Sequence, residues 1–303
     1  MSSPTTNPPR PRGRTLPDWF KKPLPTGGAI LPMKRLVEEK QLNTVCASAK
    51  CPNLNECWSR KTATFMVLGN NCTRRCFFCT VPKAPPDPVD TGEPVRVAEA
   101  VEALGLKHVV ITSVDRDDLP DRGAGHFVSV IEALRALKDS EAAERVIEIL
   151  TPDFRGYDPA VGEVASARPD IFNHNIETAP HLYSRVRPGA VYKHSLRLLK
   201  GVKRHDASIL TKSGLMVGLG ETNEQIIETM RDLRAHDVDI FTLGQYLRPS
   251  DREVPVERYM PPEEFDALAE QGRALGFLGV YAGPFVRSSY NADTVYAEVR
   301  ARR

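Results

Sequence analysis

No cysteine lies outside residues 46–79 of this chain of 303 residues, so any thiol chemistry is confined to one stretch. An excess of one charge is also missing. The 41 Lys and Arg stand against 39 Asp and Glu, a balance that favours neither nucleic acid nor a membrane surface as a partner. No apolar run reaches bilayer length; the uncharged stretch Leu275 to Val286 is short and broken by Gly and Pro. The first residues lack the apolar core of a secretory signal, and their frequent Pro prevents the amphipathic helix of a mitochondrial transit peptide. A soluble, cytoplasmic protein is the expectation.

What is present begins with proline. Residues 1–32 hold eight of the 25 prolines and little periodicity. Residues 1–14 read as a disordered tail. Leu16-Pro17-Asp18-Trp19-Phe20 reads as a segment that docks on the folded body through its aromatics. Met33 to Gln41 reads as a short helix, with Met33, Leu36 and Val37 on one face, leading into Cys46.

The six cysteines form two triplets, Cys46-x4-Cys51-x5-Cys57 and Cys72-x3-Cys76-x2-Cys79. Three disulfides belong to small secreted domains; in a chain of this size without an export signal, clustered thiols are expected to bind metal. Three thiolates on one short loop can hold three irons of a [4Fe–4S] cube and leave the fourth open to a substrate or cofactor. Structural zinc is the alternative, but it closes its tetrahedron with two x2-spaced pairs, and the second triplet has no such pair of pairs.

Beyond the cysteines, apolar β-branched runs alternate with helical periodicity. Six strands are expected, at Phe65 to Gly69, His108 to Thr112, Val146 to Leu150, Ile171 to Ile176, Gly214 to Gly218 and Asp239 to Leu243. Helices fall between them. One bears Val97, Ala98, Val101 and Leu104 inward, and the next Phe127, Val130, Ile131, Leu134 and Leu137. Another is announced by the capping box Thr222-x-x-Gln225 and buries Ile226, Ile227, Met230 and Leu233. A further helix begins at Pro261, and the tail from Leu278 ends in one more. The alternation implies a parallel sheet with helices outside, an α/β fold. It suits a partial (β/α)6 barrel, with chemistry at the C-terminal strand ends. A doubly wound open sheet shares the same alternation, and periodicity does not separate the two.

The second triplet follows the first strand, and Phe78 precedes its last cysteine. Cys-x3-Cys-x2-Cys in that context resembles the signature of radical S-adenosylmethionine (radical SAM) enzymes. The resemblance implies an open iron chelated by the amino and carboxylate groups of the methionine moiety of S-adenosylmethionine. Reductive cleavage of the cofactor then yields a 5′-deoxyadenosyl radical.

The first triplet, in Ala47-Ser48-Ala49-Lys50-Cys51-Pro52-Asn53-Leu54-Asn55-Glu56-Cys57-Trp58, narrows the resemblance to the lipoyl synthase family. The match continues in Asn71 to Cys79, Thr112 to Leu119, Asn173 to Thr178, Lys212 to Thr222 and Arg287-Ser288-Ser289-Tyr290. It runs from about Leu16 to Tyr290 without departure inside these motifs.

That resemblance implies insertion of two sulfur atoms, at carbons 6 and 8 of an octanoyl chain amide-linked to a lysine of a carrier domain. Cys72, Cys76 and Cys79 would hold the SAM-binding [4Fe–4S] cluster. Cys46, Cys51 and Cys57 would hold an auxiliary [4Fe–4S] cluster that supplies the sulfur, with Ser288 or Ser289 as its fourth ligand. A serine oxygen is a harder ligand than a thiolate and a mismatched partner for an iron–sulfur cube, which suits a cluster meant to be consumed. The implied partners are octanoylated carrier domains (the acyltransferase component of 2-oxoacid dehydrogenases, or the glycine cleavage H protein), an electron donor such as ferredoxin or flavodoxin, and an iron–sulfur carrier protein. Neither nucleic acid nor membrane is implied. Another two-cluster radical SAM sulfurtransferase, such as a methylthiotransferase, and a non-catalytic metal-binding protein are the rival readings.

The chain divides accordingly: residues 1–14 as tail, 15–62 as an N-terminal extension with the auxiliary triplet, 63–260 as the barrel, and 261–303 as a C-terminal extension with the serine motif. For the cofactor, Phe78 is expected against the adenine ring or simply in the core. Gly214-x-Met216-x-Gly218-x-x-Glu221 resembles the family's fifth-strand motif, in which glycines let backbone approach the adenosine. Asn175 and Glu177 end the fourth strand and suit ribose or amino-acid contacts, or hydrogen bonds to a neighbouring loop. Asp115, Arg116, Asp117 and Asp118 form a site or a loop-pinning ion pair. Lys212, Arg187 and Arg248 are expected at the solvated surface, with the methionine carboxylate or an acidic carrier as the alternative.

Overall fold

A computed structural model of the chain describes residues 16–21, 30–48, 51, 53–59, 63–138, 141 and 144–302. The expected tail, 1–14, lies outside the described residues, as do Lys50 and Pro52 of the first cysteine motif.

Eight strands form one sheet among the described residues: β1 (Asn43–Thr44), β2 (Thr64–Val67), β3 (His108–Ser113), β4 (Val146–Leu150), β5 (Ile171–Asn173), β6 (Leu210–Val217), β7 (Ile240–Gln245) and β8 (Gly279–Gly283). The helices are α1 (Ile30–Glu39), α2 (Val45–Ser48), α3 (Leu54–Ser59), α4 (Glu93–Leu104), α5 (Ala124–Arg135), α6 (Asp158–Ser166), α7 (Tyr183–Val186), α8 (Tyr192–His205), α9 (Asn223–Ala235), α10 (Pro262–Ala274) and α11 (Ala292–Ala301). No helix among the described residues is long and apolar enough to cross a membrane.

Strand order settles the barrel question. The sheet runs β1-β2-β3-β4-β5-β6-β7-β8 with no reversal, and every pair from β2 to β8 is parallel. A doubly wound sheet reverses its order at a switch point. Continuous winding in one direction is that of a barrel, here left open because β8 does not pair with β1 or β2. The six expected strands are β2 to β7.

Two further strands, which the sequence did not announce, flank these six. β1 is two residues long and antiparallel to β2. β8, Gly279-Val280-Tyr281-Ala282-Gly283, has glycine at both ends and no alternation to mark it. α11 then buries Val295 and Val299 against Ile171, Leu210 and Ile240 at the starts of β5, β6 and β7. That helix covers the end of the barrel opposite the strand C-termini.

β5 stops at Asn173 rather than Ile176. Beyond it, the Ser213 hydroxyl accepts the Ile176 amide at 3.1 Å. His174 is held between the Thr151 carbonyl and Ser195 Oγ, both at 2.8 Å. The chain returns to the sheet only at Glu177, which bridges Leu215 with φ at +68°. The His174 amide still bonds the Lys212 carbonyl at 3.0 Å, so residues 175 and 176 are the ones that leave the ladder.

The expected helical faces pack on the core, with Leu36, Val37, Leu104, Leu137 and Ile227 half-buried and the rest buried. Thr222 and Gln225 form the reciprocal capping box at the start of α9. Phe20 packs edge-on against Tyr259 and Phe285, each at 5.5 Å, whereas Trp19 remains 39% exposed.

The barrel interior also holds a charged layer, which corrects the surface expectation for Lys212. Its ammonium is fully buried and donates to both Glu148 oxygens, at 2.9 and 3.1 Å. His108 and Asn173 complete the group around the same carboxylate, at 3.3 and 2.9 Å. Burial raises the Glu148 carboxyl, but Lys212 and His108 more than offset it and hold it near 2.

Candidate active site

The loop after β2 carries Cys72, Cys76 and Cys79. Backbone bonds hold it on several sides: the Cys72 amide donates to the Pro82 carbonyl at 2.9 Å, that of Thr73 to Asp115 at 3.1 Å and that of Phe77 to Val186 at 2.9 Å. Arg74 anchors it further. The buried guanidinium forks onto Asp117, reaches Asp153 at 3.1 Å and donates to the Gly189 carbonyl at 2.8 Å. One side chain therefore ties the cysteine loop to the segments after β3, after β4 and before α8.

The acidic run after β3 divides its work. Asp117 pins the cysteine loop through Arg74, and Arg116 pairs with Asp118. Asp115 is half-buried, with a carboxylate oxygen 3.9 Å from Cys72 Sγ. Burial pushes its carboxyl up to about 6, against the pull of Arg74.

All six cysteines are free. Burial pushes the Cys72 thiol up to about 11 and Cys76 up to about 12, and raises Cys46 and Cys79. Such thiols stay protonated near neutral pH until a cationic group binds and displaces their protons.

Around the second triplet stand a base and an acid. Arg187 is buried, not solvated as expected; it donates to the Asn175 carbonyl at 3.0 Å and lies near Glu177 and Cys76. Burial raises the Glu177 carboxyl and Arg187 pulls it back. Arg248 is exposed and bonded within its own loop to the Glu253 carbonyl at 2.8 Å, on the cavity rim.

The first triplet is carried on α2, the following turn and α3. The Cys51 amide donates to the Cys46 carbonyl at 3.0 Å, and Cys57 lies within α3. Two contacts fasten this segment to the other end of the chain. Asn53 Nδ2 donates to the Phe285 carbonyl at 2.7 Å, and the Tyr290 hydroxyl donates to Glu56 at 2.6 Å. A third joins the cysteine segments to each other, Thr80 Oγ1 to the Ser48 carbonyl at 2.7 Å.

A cavity of about 420 Å³ opens at the C-terminal strand ends. Cys46, Cys51 and Cys57 line it together with Ser288 and Ser289; Phe78, Asn175 and Glu177 line it as well. Leu150, Leu215, Met216, Leu247 and Val286 give it an apolar wall. Gly244 of β7 makes the serine turn's approach possible: a Cβ there would stand 2.0 Å from the Val286 carbonyl oxygen. Asn175 Nδ2 donates to Ser288 Oγ at 2.8 Å.

Gly218 and Glu221 lie elsewhere. Glu221 accepts from the Gly218 and Leu219 amides, closing the turn after β6, and neither residue lines the cavity. Gly218 has φ at +93°, and a Cβ there would meet Gln245 and the Arg258 carbonyl. Its requirement for glycine comes from the turn and the protein's own packing. Arg74, Asn53 and Glu56 are positioning residues that sequence reasoning passed over, although the acids at 115–118 were a signal that a buried cation faced them.

Comparison with known proteins follows the same lines. Residues 66–233 match the radical SAM superfamily. The lipoyl synthase of Xanthomonas campestris pv. campestris is 55% identical over 280 residues, spanning 91% of this chain and 82% of that protein. The chain belongs to the lipoyl synthase family of radical SAM enzymes. The lipoyl synthase of Alcanivorax borkumensis is 54% identical over 278 residues, spanning 91% of this chain and 84% of that one. Among solved structures, HydG, a maturase of the [FeFe]-hydrogenase, superposes with a TM-score of 0.55 at 12% identity, over 79% of this chain and 62% of that chain. At that identity it shares the fold alone.

Lipoyl synthases use S-adenosylmethionine and [4Fe–4S] clusters. The residues present suit such groups. None of the thiols is tied up in a disulfide, Cys46 is buried and the other five are half-buried, and among the described residues no three Cys, His, Asp or Glu side chains converge as a single bound ion requires. Three thiols spread over the edge of a cube have no need to converge.

Proposed function

We propose that the two triplets divide the lipoyl synthase reaction between them. Cys72, Cys76 and Cys79 hold the SAM-binding cluster. Cys46, Cys51, Cys57 and Ser289 hold the auxiliary [4Fe–4S] cluster, whose sulfide is a substrate and becomes the product's sulfur. Ser289 is preferred over Ser288 because Asn175 already engages the Ser288 hydroxyl. When bound, the SAM-binding cluster of the second triplet would supply the electron that cleaves the sulfonium C–S bond of S-adenosylmethionine.

The chain's own residues bind, orient and exclude water. Arg187 and Glu177, near Cys76, suit the methionine carboxylate and ammonium. Phe78, on the cavity wall, suits the adenine. The apolar wall receives the octanoyl chain and keeps water from the radical that forms on it. Each insertion would pass one hydrogen atom from carbon 6 or 8 to the 5′-deoxyadenosyl radical, giving 5′-deoxyadenosine, and join that carbon to a sulfide of the substrate cluster, one of whose ferric irons takes up the surplus electron. Residues 15–62 and 261–303 serve as extensions that bring the auxiliary site over the barrel of residues 63–260.

The partners follow from this chemistry. The substrate is an octanoyl-lysine on a carrier domain of the 2-oxoacid dehydrogenase or glycine cleavage type. A ferredoxin or flavodoxin supplies electrons, and Phe77, 51% exposed on the cysteine loop, offers it an apolar contact. An iron–sulfur carrier rebuilds the spent cluster, in the cytoplasm. The observation that carries the reading is the meeting of the first triplet and the serine turn in one cavity with Phe78 and Glu177.

Single-residue variants test it. Cys51→Ala is expected to cleave S-adenosylmethionine and make no lipoyl group, whereas Cys76→Ala abolishes cleavage. Lipoyl product from Cys51→Ala, measured by mass, overturns the division of labour.

A further inference from the structure

Asn175 leaves the end of β5 between the two cysteine groups. Its Nδ2 donates to Ser288 Oγ at 2.8 Å, and two residues further along the chain stands Glu177, near Cys76 and Cys79. The residue is fixed at both ends. Arg187 holds its carbonyl at 3.0 Å, and its amide packs so closely on β6 that a Cβ at Gly214 would stand 2.8 Å from Oδ1. Oδ1 itself is buried and has no hydrogen-bond partner among the described residues.

A serine hydroxyl on a loop samples three staggered rotamers, and a fixed donor selects among them. Asn175 does this for Ser288, while Gly244 admits the preceding Val286 carbonyl close above β7. The serine turn is thereby set in height and in rotation. Ser289, next in the chain, lines the same cavity as Cys46, Cys51 and Cys57, and no described hydrogen bond engages its hydroxyl.

Resting on the two-cluster reading above, we infer that Asn175 is a positioning residue for the serine turn. Through Ser288 it fixes where the Ser289 oxygen meets the auxiliary cluster, and so it sets how fast that cluster yields its iron. The Asn175–Ser288 contact also sets the turn two residues along the chain from Glu177, the acid beside the second triplet.

The test uses full-length protein with Cys72, Cys76 and Cys79 replaced by Ala, so that only the auxiliary cluster remains. Anaerobic reconstitution should give about four irons per chain, as one cube requires. A count near zero overturns the two-cluster reading itself, whatever the fate of Asn175. With the cluster loaded, the readouts are the rate of iron extraction by a chelator and the Mössbauer signal of the serine-bound iron.

Asn175→Ala and Ser288→Ala should each speed extraction roughly three- to tenfold, the worth of one such hydrogen bond, and shift that iron's signal. The double variant should be no faster than either single one, because both remove the same contact. Ser288→Thr, which keeps the accepting oxygen, should extract at close to the parent rate. An Asn175→Ala rate equal to the parent's, additive single effects, or Ser288→Thr as fast as Ser288→Ala overturns the inference and leaves the two-cluster reading standing.

Discussion

Gly244 shows how a residue with no side chain can govern a reaction site. The serine turn passes so close over β7 that any Cβ at this position would overlap the Val286 carbonyl, and Arg287 lies 3.3 Å from the same point. The Arg287 side chain could move aside, but the Val286 carbonyl is backbone and cannot yield cheaply. Gly244→Ala is therefore expected to lift the turn from the first triplet. Purified anaerobically, the variant should lose up to half of its iron and make no lipoyl product, while still cleaving S-adenosylmethionine.

Glu148 and Lys212 pose a different problem at the same scale. A fully buried ion pair is costly to break, because removing one partner leaves the other charged and unsolvated. Lys212→Met should destabilise the fold by about 3–5 kcal/mol in urea titrations. The pH dependence has a definite sign. Glu148 titrates near 2 in the folded state against an ordinary 4.5, so between these values the unfolded chain binds a proton that the folded chain does not. Stability from this group is present above pH 4.5 and drains away as pH falls toward 2. Urea titrations of wild type and Glu148→Gln across that window should show the slope in the first and its loss in the second.

Neither feature was legible in the sequence. A lysine in a β-branched run gives no sign of whether it faces solvent or a barrel interior. That depends on register, and Lys212 is aligned with Ile240 of β7 and with Asn173 of β5. The cysteines were legible because thiols at short fixed spacings have few other uses in a chain of this kind.

At the scale of an element, the cysteine loop after β2 owes its shape mainly to Arg74. Its planar fork reaches Asp117 and Asp153, on the segments after β3 and β4. A lysine in its place carries the charge without the fork. Arg74→Lys should therefore weaken the second cluster alone. Iron content is expected to fall from about eight toward four per chain, with S-adenosylmethionine cleavage lost in proportion and the auxiliary cluster's spectrum unchanged. Equal loss from both clusters contradicts this account of the loop.

The acids at 115–118 announced such an anchor in the sequence without naming its partner. β5 shows the converse limit. The strand expected from the sequence continues to Ile176, yet the Ser213 hydroxyl takes the Ile176 amide and the strand ends at Asn173. A side chain on one strand competing for the backbone of the next leaves no trace in periodicity.

The whole molecule brings opposite ends of its chain over one cavity. Asn53 and Glu56 meet Phe285 and Tyr290 across more than two hundred residues, and the six-stranded core between them supplies the floor. The βα alternation carried that core in the sequence, since strands and helices of ordinary length repeat with clear periods. The edges were not carried: β1 has two residues, and β8 is defined by pairing with β7 rather than by its own pattern.

On the function proposed above, joining residues 15–62 to 261–303 sets a sulfur source beside a radical source. The direct test is anaerobic incubation of the reconstituted full-length protein with S-adenosylmethionine, a reductant and an octanoyl-lysine peptide, followed by mass measurement of the peptide. Two added sulfur atoms per peptide, drawn from isotopically labelled auxiliary cluster, is the result predicted. A peptide left unchanged while S-adenosylmethionine is cleaved and both clusters are loaded would contradict the account.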